Sequence, residues 1–402
     1  MLINEQTRDF IRQHEQDDVR RLALQGVRDA EVDQAQALQQ IAGRQTARRK
    51  LPSWAGEDSV VYPPHLNMEQ CSSEQTARYK AQIVNGLSVQ GRYVDLTGGF
   101  GVDFYWMSQV FKERVYVEQD PDLCALAEHN FEVLGLDCSV RCCDTTAYLA
   151  EMEPADVVYL DPARRDEHGG RTYGIADCSP NVLDLLPQLW EKTDHVVLKL
   201  SPMLDWRKAV DDLKQVSQVH IVSVDNECKE LVLVLDKQLP DHLRLCCVNN
   251  QQVFEIVRTP WPASPFPSVS DSAPLGLKES LNPTFLYEPN ASIMKAGCFD
   301  VLMQRYPVRQ LAPNSHLFIS DVEIRDFPGR GFHISAISSM NKRELKATLA
   351  AISSANITVR NFPLSVQQLR QKLKLKDGGD TYIFASTAAD GGHQLFICRK
   401  IG

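Results

Sequence analysis

Between residues 92 and 236 the chain alternates short apolar runs with longer amphipathic ones. YVDL, VYVE, CSVRC, DVVYLD and HVVLKL are each followed by a segment of helical character, and VHIVSV and LVLVLD close the series. Few folds accept this pattern. Strands that are apolar throughout are buried on both faces, and strand–helix repeats give a parallel sheet covered by helices on either side. The last two strands are joined only by DNECKE, which predicts an antiparallel hairpin at the sheet edge. The expectation is an α/β, Rossmann-like architecture.

The flanking regions read differently. Residues 5–48 carry an intermittent apolar stripe among Gln, Arg, Asp and Glu and read as helical, with Gly26 and Gly43 as breaks. LPSWAGEDSVVYPPHLN is rich in turn formers and reads as a linker packed on the next domain, which opens with a helix capped by Ser72 or Ser73. Prolines crowd residues 259–290. Residues 299–325 form a small αβ piece, and 331–402 alternate strands and helices again. The expected division is a helical region and linker at 1–71, the α/β domain at 72–240, a Pro-rich crossing with a small αβ segment at 241–324, and a small α+β domain at 325–402.

A chain of 402 residues with this apolar content builds cores of ordinary size. No run approaches the roughly 18 apolar residues of a membrane helix, and MLINEQTRDF is polar rather than a secretory signal. The 11 cysteines are irregularly spaced with no CxxC pair, and the scattered histidines make no metal-ligand spacing. The expectation is reduced thiols in a cytoplasmic protein without a structural metal. Net charge is −9, unevenly spread: residues 301–402 hold 14 Lys and Arg against 7 Asp and Glu, so the earlier residues are strongly acidic. A basic tail on an acidic body suits a polyanion.

The chemistry begins at DLTGGFGVD, residues 95–103, which follows a strand and opens a helix. Gly98 and Gly99 let backbone approach a ligand closely, Gly101 permits tight helix packing, and Asp95 can accept from a cationic amine. A dinucleotide site wants G-x-G-x-x-G with pyrophosphate at the helix N-terminus. Here the run is G-G-F-G-V-D and the third glycine is absent, which disfavours a nicotinamide oxidoreductase. S-adenosylmethionine has no phosphate and carries a sulfonium and an ammonium, so an acidic, glycine-rich turn suits it. Glu118 ends the next strand, where an acid can accept both ribose hydroxyls, and Asp144 follows the third, placed for an adenine amine. Any one of these acids would pass as a helix cap; three at successive strand ends share the rim where open sheets bind ligands.

On these residues the sequence resembles the class I S-adenosylmethionine-dependent methyltransferases over roughly 72–236. The resemblance implies a seven-stranded sheet with a reversed final hairpin. It makes Asp95, Thr97, Gly98, Gly99, Gly101, Asp103, Glu118 and Asp144 the candidate cofactor-binding residues. More narrowly, GRQTARRKLPSWA, CSSEQTARYKA, DLTGGFGVD, LDPARR, YEPNASIMKAG and VRNFPLSVQQLRQKLKLKDGGD resemble a bacterial methyltransferase family that ends in a ferredoxin-like segment and a THUMP-like domain. The THUMP-like resemblance implies binding of RNA, tRNA or rRNA.

The loop after the fourth strand, LDPARRDEHGGRTYG, faces the transferring methyl in that fold. Amine methyltransferases carry Asp/Asn-Pro-Pro-aromatic there. Asp161 and Pro162 match, whereas Ala163 and Arg164 replace the second proline and the aromatic. Arg164 could stack on a base, clamp a phosphate or simply pair with Asp161 or Glu167. With Arg165, Arg171, Gly169 and Gly170 it makes a basic loop suited to a nucleotide. Lys199, ending the fifth strand, either orients substrate or pairs with Asp161. Cys178 is a weakly supported nucleophile whose alternative is a packed thiol. The candidate catalytic residues are therefore Asp161, Pro162, Arg164 and Lys199, with methylation of a base amine in structured RNA as the leading expectation. A protein or small-molecule acceptor, or a non-catalytic RNA-binding module on the same fold, is the alternative. Nothing in the sequence fixes the oligomeric state.

Overall fold

The structure, a computed structural model, describes residues 3–26, 29–164, 174–258, 284–312, 314–388 and 390–401. It divides into two compact units, Met1–Val222 with Lys229–Leu245, and Ser223–Cys228 with Cys246–Gly402.

The first unit begins with three helices, α1 (Glu5–His14), α2 (Val19–Gln25) and α3 (Gln34–Lys50), followed by the short α4 (Pro52–Ala55), α5 (His65–Gln70) and α6 (Glu74–Asn85). Side chains of Asn4, Asp18 and Asp33 cap the first three by accepting backbone N–H groups. Gly26 ends α2 with φ +69, as a breaking glycine should. Gly43 departs from expectation and lies inside α3. It is there because of packing: a Cβ at this position would sit 2.3 Å from the Cβ of Tyr62. Trp54, Tyr62 and Met68 bury against Phe100, Val102 and Leu126, so the linker lies on the α/β body. The buried Asn130 side chain fastens it by accepting from the Val61 N–H at 2.9 Å and donating to the Val61 carbonyl at 2.8 Å.

The α/β body follows with β1 (Arg92–Asp95), α7 (Val102–Met107), β2 (Glu113–Glu118), α8 (Pro121–Val133), β3 (Ser139–Cys142), α9 (Thr145–Glu151) and β4 (Ala155–Leu160). A two-residue pair β5 (Ala163–Arg164) and β6 (Cys178–Ser179) precedes α10 (Val182–Lys192), β7 (Thr193–Leu200), α11 (Trp206–Leu213), β8 (Val216–Val224) and β9 (Glu227–Asp236). Its strands belong to a nine-stranded sheet in the order β11-β10-β8-β9-β7-β4-β1-β2-β3, where β10 (Leu243–Asn249) and β11 (Gln252–Arg258) lie beyond β8, so the sheet exceeds the expected seven strands and the final hairpin is not at its edge. β3, β2, β1, β4 and β7 are mutually parallel, and β9 is antiparallel to β7. The reversal is made by a two-residue turn at Asp225 and Asn226, both left-handed at φ +51 and +63, residue types that tolerate that conformation. Beneath the sheet rim Phe104, Tyr116 and Phe131 form a mutual aromatic triangle with centroids 5.1–5.5 Å apart.

β10 and β11 are neighbours that turn at Asn250, and they stand where the sequence reading placed only a crossing. Phe254 and Ile256 alternate with exposed residues, a period-2 signal that the nearby prolines obscured. The densest proline run, 259–283, lies outside the described residues. Then come β12 (Phe285–Pro289), α12 (Ala291–Ala296), α13 (Phe299–Arg305), β13 (Arg309–Gln310), β14 (Phe318–Ser320), β15 (Gly329–Ser339), α14 (Lys342–Thr348), β16 (Asn356–Arg360), α15 (Val366–Leu373), β17 (Thr381–Thr387) and β18 (His393–Lys400). They build one seven-stranded sheet, β13-β14-β12-β15-β18-β17-β16. The long β15 pairs with β12 on one side and β18 on the other, so residues on both sides of position 325 share a single sheet. No described helix is long and apolar enough to cross a membrane.

One buried group couples this fold to pH. His220 on β8 lies wholly inside, its Nδ1 2.8 Å from the Tyr79 hydroxyl. Burial, helped by Arg244, pushes its pKa down from 6.5 to about 3. The folded state therefore holds a neutral ring while the unfolded chain takes up a proton below pH 6.5, so the stability is complete above that pH and is lost on acidification. Denaturant titrations should show wild type losing about 1.4 kcal/mol more per pH unit between 6.5 and 4.5 than His220→Leu does. Parallel curves for the two proteins would refute the assignment.

Candidate active site

The β1–α7 turn is shaped by close packing as much as by ligand space. The Gly98 N–H donates to the Val117 carbonyl at 2.8 Å and draws the turn onto β2. A Cβ on Gly98 would lie 2.1 Å from the Tyr116 ring, and one on Gly101 would lie 2.6 Å from Phe131. Gly99 and Gly101 both have left-handed φ, +57 and +82. Gly99 differs from the other two: a Cβ there would meet nothing nearer than 3.9 Å, and its requirement is conformational. The Tyr116 hydroxyl donates to its carbonyl.

Three expected acids take their places around this turn. Asp95 ends β1 almost fully buried and accepts from the Thr97 N–H at 2.9 Å. Burial pushes its carboxyl well above the usual range. The Thr97 N–H opposes that, while Asp103, Asp161 and Glu118 add to it. Glu118 ends β2. Its Oε2 accepts from the Gly99 N–H at 2.9 Å, and its Oε1 from the N–H groups of Gln119 and Asp120 at 2.8 and 2.9 Å. Three backbone donors thus hold this carboxylate against the glycine turn. Asp144 follows β3 on an exposed corner and caps α9, accepting from Thr146 and Ala147 at 2.8 and 3.0 Å. The adjacent Thr145 hydroxyl donates to the Leu96 carbonyl at 2.7 Å, which ties the third strand end to the first.

The loop after β4 is fastened to the same turn. The Asp161 N–H donates to the Thr97 hydroxyl at 2.6 Å. Pro162 is buried beside it. Of the two roles open to Lys199, the structure shows the pairing one: its Nζ meets Asp161 Oδ2 in an ion pair. Burial pulls the Lys199 pKa down, but the carboxylates of Asp161, Asp103 and Glu230 outweigh burial and raise it, so the side chain stays an ammonium. The Arg164 backbone lies on β5 opposite Cys178, and its side chain lies outside the described residues, as do Arg165, Glu167, His168, Gly169, Gly170 and Arg171. Cys178 is buried in the short β5–β6 ladder, as a packed thiol would be.

Behind these groups lies a cluster the sequence reading missed. Asp103, expected beside the cofactor, accepts from the Ser72 and Tyr159 hydroxyls at 2.8 Å each, with Lys80 Nζ 3.1 Å from its other oxygen. Burial would raise its pKa; Lys80, Lys199 and the two hydroxyls outweigh it and keep the carboxyl below its usual value. Lys80, fully buried, also donates to Ser72 Oγ at 2.9 Å and to both oxygens of Glu230 at 2.7 and 2.8 Å. Ser73 is the cap of α6, which leaves Ser72 for this cluster. A signal was present: Thr76, Ala77, Lys80, Ile83 and Val84 form the inward stripe of α6, and a lysine stands where an apolar residue belongs. Among the described residues no three His, Cys, Asp or Glu side chains gather as metal ligands.

A crystal structure described as a "putative methyltransferase" from Porphyromonas gingivalis W83 is 30% identical, covers 100% of both chains and superposes with a TM-score of 0.84. A ferredoxin-like domain model matches residues 285–328, and a THUMP domain-like model matches 329–400. A structure from Listeria monocytogenes described as a "putative class I S-adenosylmethionine-dependent methyltransferase" is 12% identical, covering 61% of this chain and 93% of its own, with a TM-score of 0.38. The Thermus thermophilus 16S rRNA N2 G1207 methyltransferase, in complex with AdoMet and guanosine, is 15% identical, covering 44% and 46%, with a TM-score of 0.34. No functionally curated protein matches the sequence.

The buried cluster makes a sharp energetic demand. Lys80→Met strands Glu230 and Asp103 without their ammonium and should cost about 3 kcal/mol or more in denaturant unfolding. Lys80→Met combined with Glu230→Met should recover part of that loss. A double variant no better than the single one would show that the pair is not coupled.

Proposed function

This chain belongs to the same methyltransferase-fold family as the Porphyromonas gingivalis protein, and we propose that it transfers the methyl group of S-adenosylmethionine to structured RNA. The observation that carries the cofactor assignment is Glu118. Its carboxylate is fixed by three backbone N–H groups across from the open Gly99 turn, at the strand end where an acid receives ribose hydroxyls. The donor set fits this ligand and not a pyrophosphate: Asp95 and Glu118 flank the turn with carboxyl groups, Asp144 follows the third strand, and a cation with ribose hydroxyls is what such a rim accepts. Asp95, Thr97, Gly98 and Gly99 would hold the methionine end, Glu118 the ribose and Asp144 the adenine edge. When bound, the cofactor supplies an electrophilic methyl on a sulfonium. Asp161, Pro162 and Lys199 stand at the end of the neighbouring strands to receive the acceptor. Methyl transfer is an in-line displacement, so most of what these residues provide is position.

The RNA half of the reading rests on the second unit. Its THUMP-like segment exposes Lys342, Arg343 and Lys346 on α14, and Lys372, Lys374 and Lys376 on and just after α15. Phosphate contacts from such side chains give affinity without sequence choice.

Two measurements test these halves separately. Titration calorimetry should show S-adenosylhomocysteine binding that weakens at least about tenfold in Glu118→Ala, as expected for loss of a charge-assisted bond to a ribose. For S-adenosylmethionine, binding should release a proton from Asp95 and tighten as pH rises, because the raised carboxyl must ionise to meet the ammonium. Equal heats in buffers of different ionisation enthalpy would contradict that step. Bulk tRNA binding by a variant carrying Glu at 372, 374 and 376 should weaken and lose part of its salt dependence. Unchanged binding would remove α15 from the RNA surface.

A further inference from the structure

We infer that the acceptor is a hydroxyl oxygen, the ribose 2′-hydroxyl of RNA, and that Lys199 is the catalytic residue that makes this oxygen reactive. The inference rests on the methyl-transfer reading above and goes beyond it to the atom methylated. The geometry that carries it is a charged column running from the buried base to the site. Lys80 and Glu230 are sealed, with side chains 0% and 4% exposed, Lys199 is 12% exposed, and Asp161 opens at 36%. Two ammonium groups and three carboxylates, those of Asp103, Asp161 and Glu230, interact along it.

The two acceptor chemistries place opposite demands on such a column. A base amine gains positive charge as it takes the methyl, and needs carboxylate or carbonyl acceptors for its protons. A fixed ammonium at hydrogen-bond range of Asp161 would repel that charge. An oxygen acceptor is a poor nucleophile as a neutral hydroxyl and gains from an ammonium donor, which favours the build-up of negative charge on it. The buried base of the column keeps that donor charged and in place: Glu230 and Asp103 hold Lys80 on one side and draw on Lys199 from the other. The residues after Asp161 agree, since Ala163 stands where an amine methyltransferase carries its second proline. Among hydroxyl groups, the 2′-OH is the one RNA presents at every nucleotide.

The step balances without a further reagent. The acceptor oxygen forms a bond to the methyl carbon as the carbon–sulfur bond breaks, and that electron pair stays on sulfur, leaving a neutral thioether. The hydroxyl proton passes to the Asp161 carboxylate and then to water, while Lys199 donates a hydrogen bond to the oxygen throughout. Lys80 and Glu230 act through Lys199 and are positioning residues.

The test uses the full chain, methyl-tritiated S-adenosylmethionine, and unmodified tRNA and rRNA transcripts. Alkali cleaves RNA through the free 2′-hydroxyl, so a methylated ribose protects its neighbouring phosphodiester. The label should appear in alkali-resistant dinucleotides. Label in mononucleotides would overturn the hydroxyl assignment and leave the methyltransferase reading standing. No label in either fraction, from protein that binds S-adenosylhomocysteine, would overturn both the RNA acceptor and this inference. Failure of the wild-type chain to bind S-adenosylhomocysteine is the separate result that defeats the cofactor assignment itself. Lys199→Met should transfer methyl groups about 100-fold more slowly with unchanged calorimetric affinity for S-adenosylhomocysteine. Full turnover in that variant would remove Lys199 from the chemistry. The product analysis uses wild-type protein, so the inference stays open to refutation even if the variant does not fold.

Discussion

The ammonium of Lys80 is the constraint on which the first unit depends. A lysine wholly out of water is tolerable only if its charge is matched and its protons find acceptors. Here Glu230 on β9, Asp103 on α7 and Ser72 ahead of α6 meet both needs at 2.7–3.1 Å. Those partners come from a helix before the first strand, the helix after the glycine turn and the reversed strand of the sheet. None of the three can shift alone without leaving a charge unpaired. The cluster therefore fixes how α6 and α7 lie on the sheet, and Asp103 passes the constraint to Tyr159 on β4, the strand that leads into Asp161.

Around that fixed base the rim is built from backbone hydrogen bonds rather than from side chains alone. Thr97 bridges Asp95 and Asp161, Glu118 is held by Gly99 and its own following turn, and Thr145 ties the third strand end to Leu96. The carboxyl groups at the rim are thereby positioned before any ligand arrives, and binding need not order them. Crowding the carboxyls has its own cost: Asp95 is pushed toward its neutral form by burial and by its neighbours. A cationic ligand offsets that cost and a pyrophosphate would add to it.

The second unit follows a different logic. Its seven strands from β12 to β18 share one sheet with apolar side chains on both faces. Leu369 and Ile383 belong to the cluster beneath the helices, and Phe332, Phe384 and Phe396 to another. β15 is long enough to serve both halves, and its register shifts between Ile334 and Ala336 where it passes from one to the other. The ferredoxin-like and THUMP-like segments match separate family models, yet they are one folded body in this chain. Basic side chains stay on its outer helices, where apolar packing does not use them.

The alternation from residue 92 to 236 determined the parallel sheet, the reversed last strand and the acids at successive strand ends, because period, glycine position and strand termini are local properties of a chain. Asp95, Glu118, Asp144 and Asp161 could be named from position alone. Other features were visible only as anomalies: Gly43 as a helix breaker that proved to be a close approach to Tyr62, and Lys80 as a polar residue on an apolar stripe. What only the tertiary structure decided is partnership. Glu230 lies 150 residues from Lys80 and Lys199 lies 38 from Asp161, and no local rule says which charge will neutralise which. That choice is made when the strands order themselves in space, because the energy of a buried ion depends on what surrounds it in three dimensions and not on its neighbours along the chain.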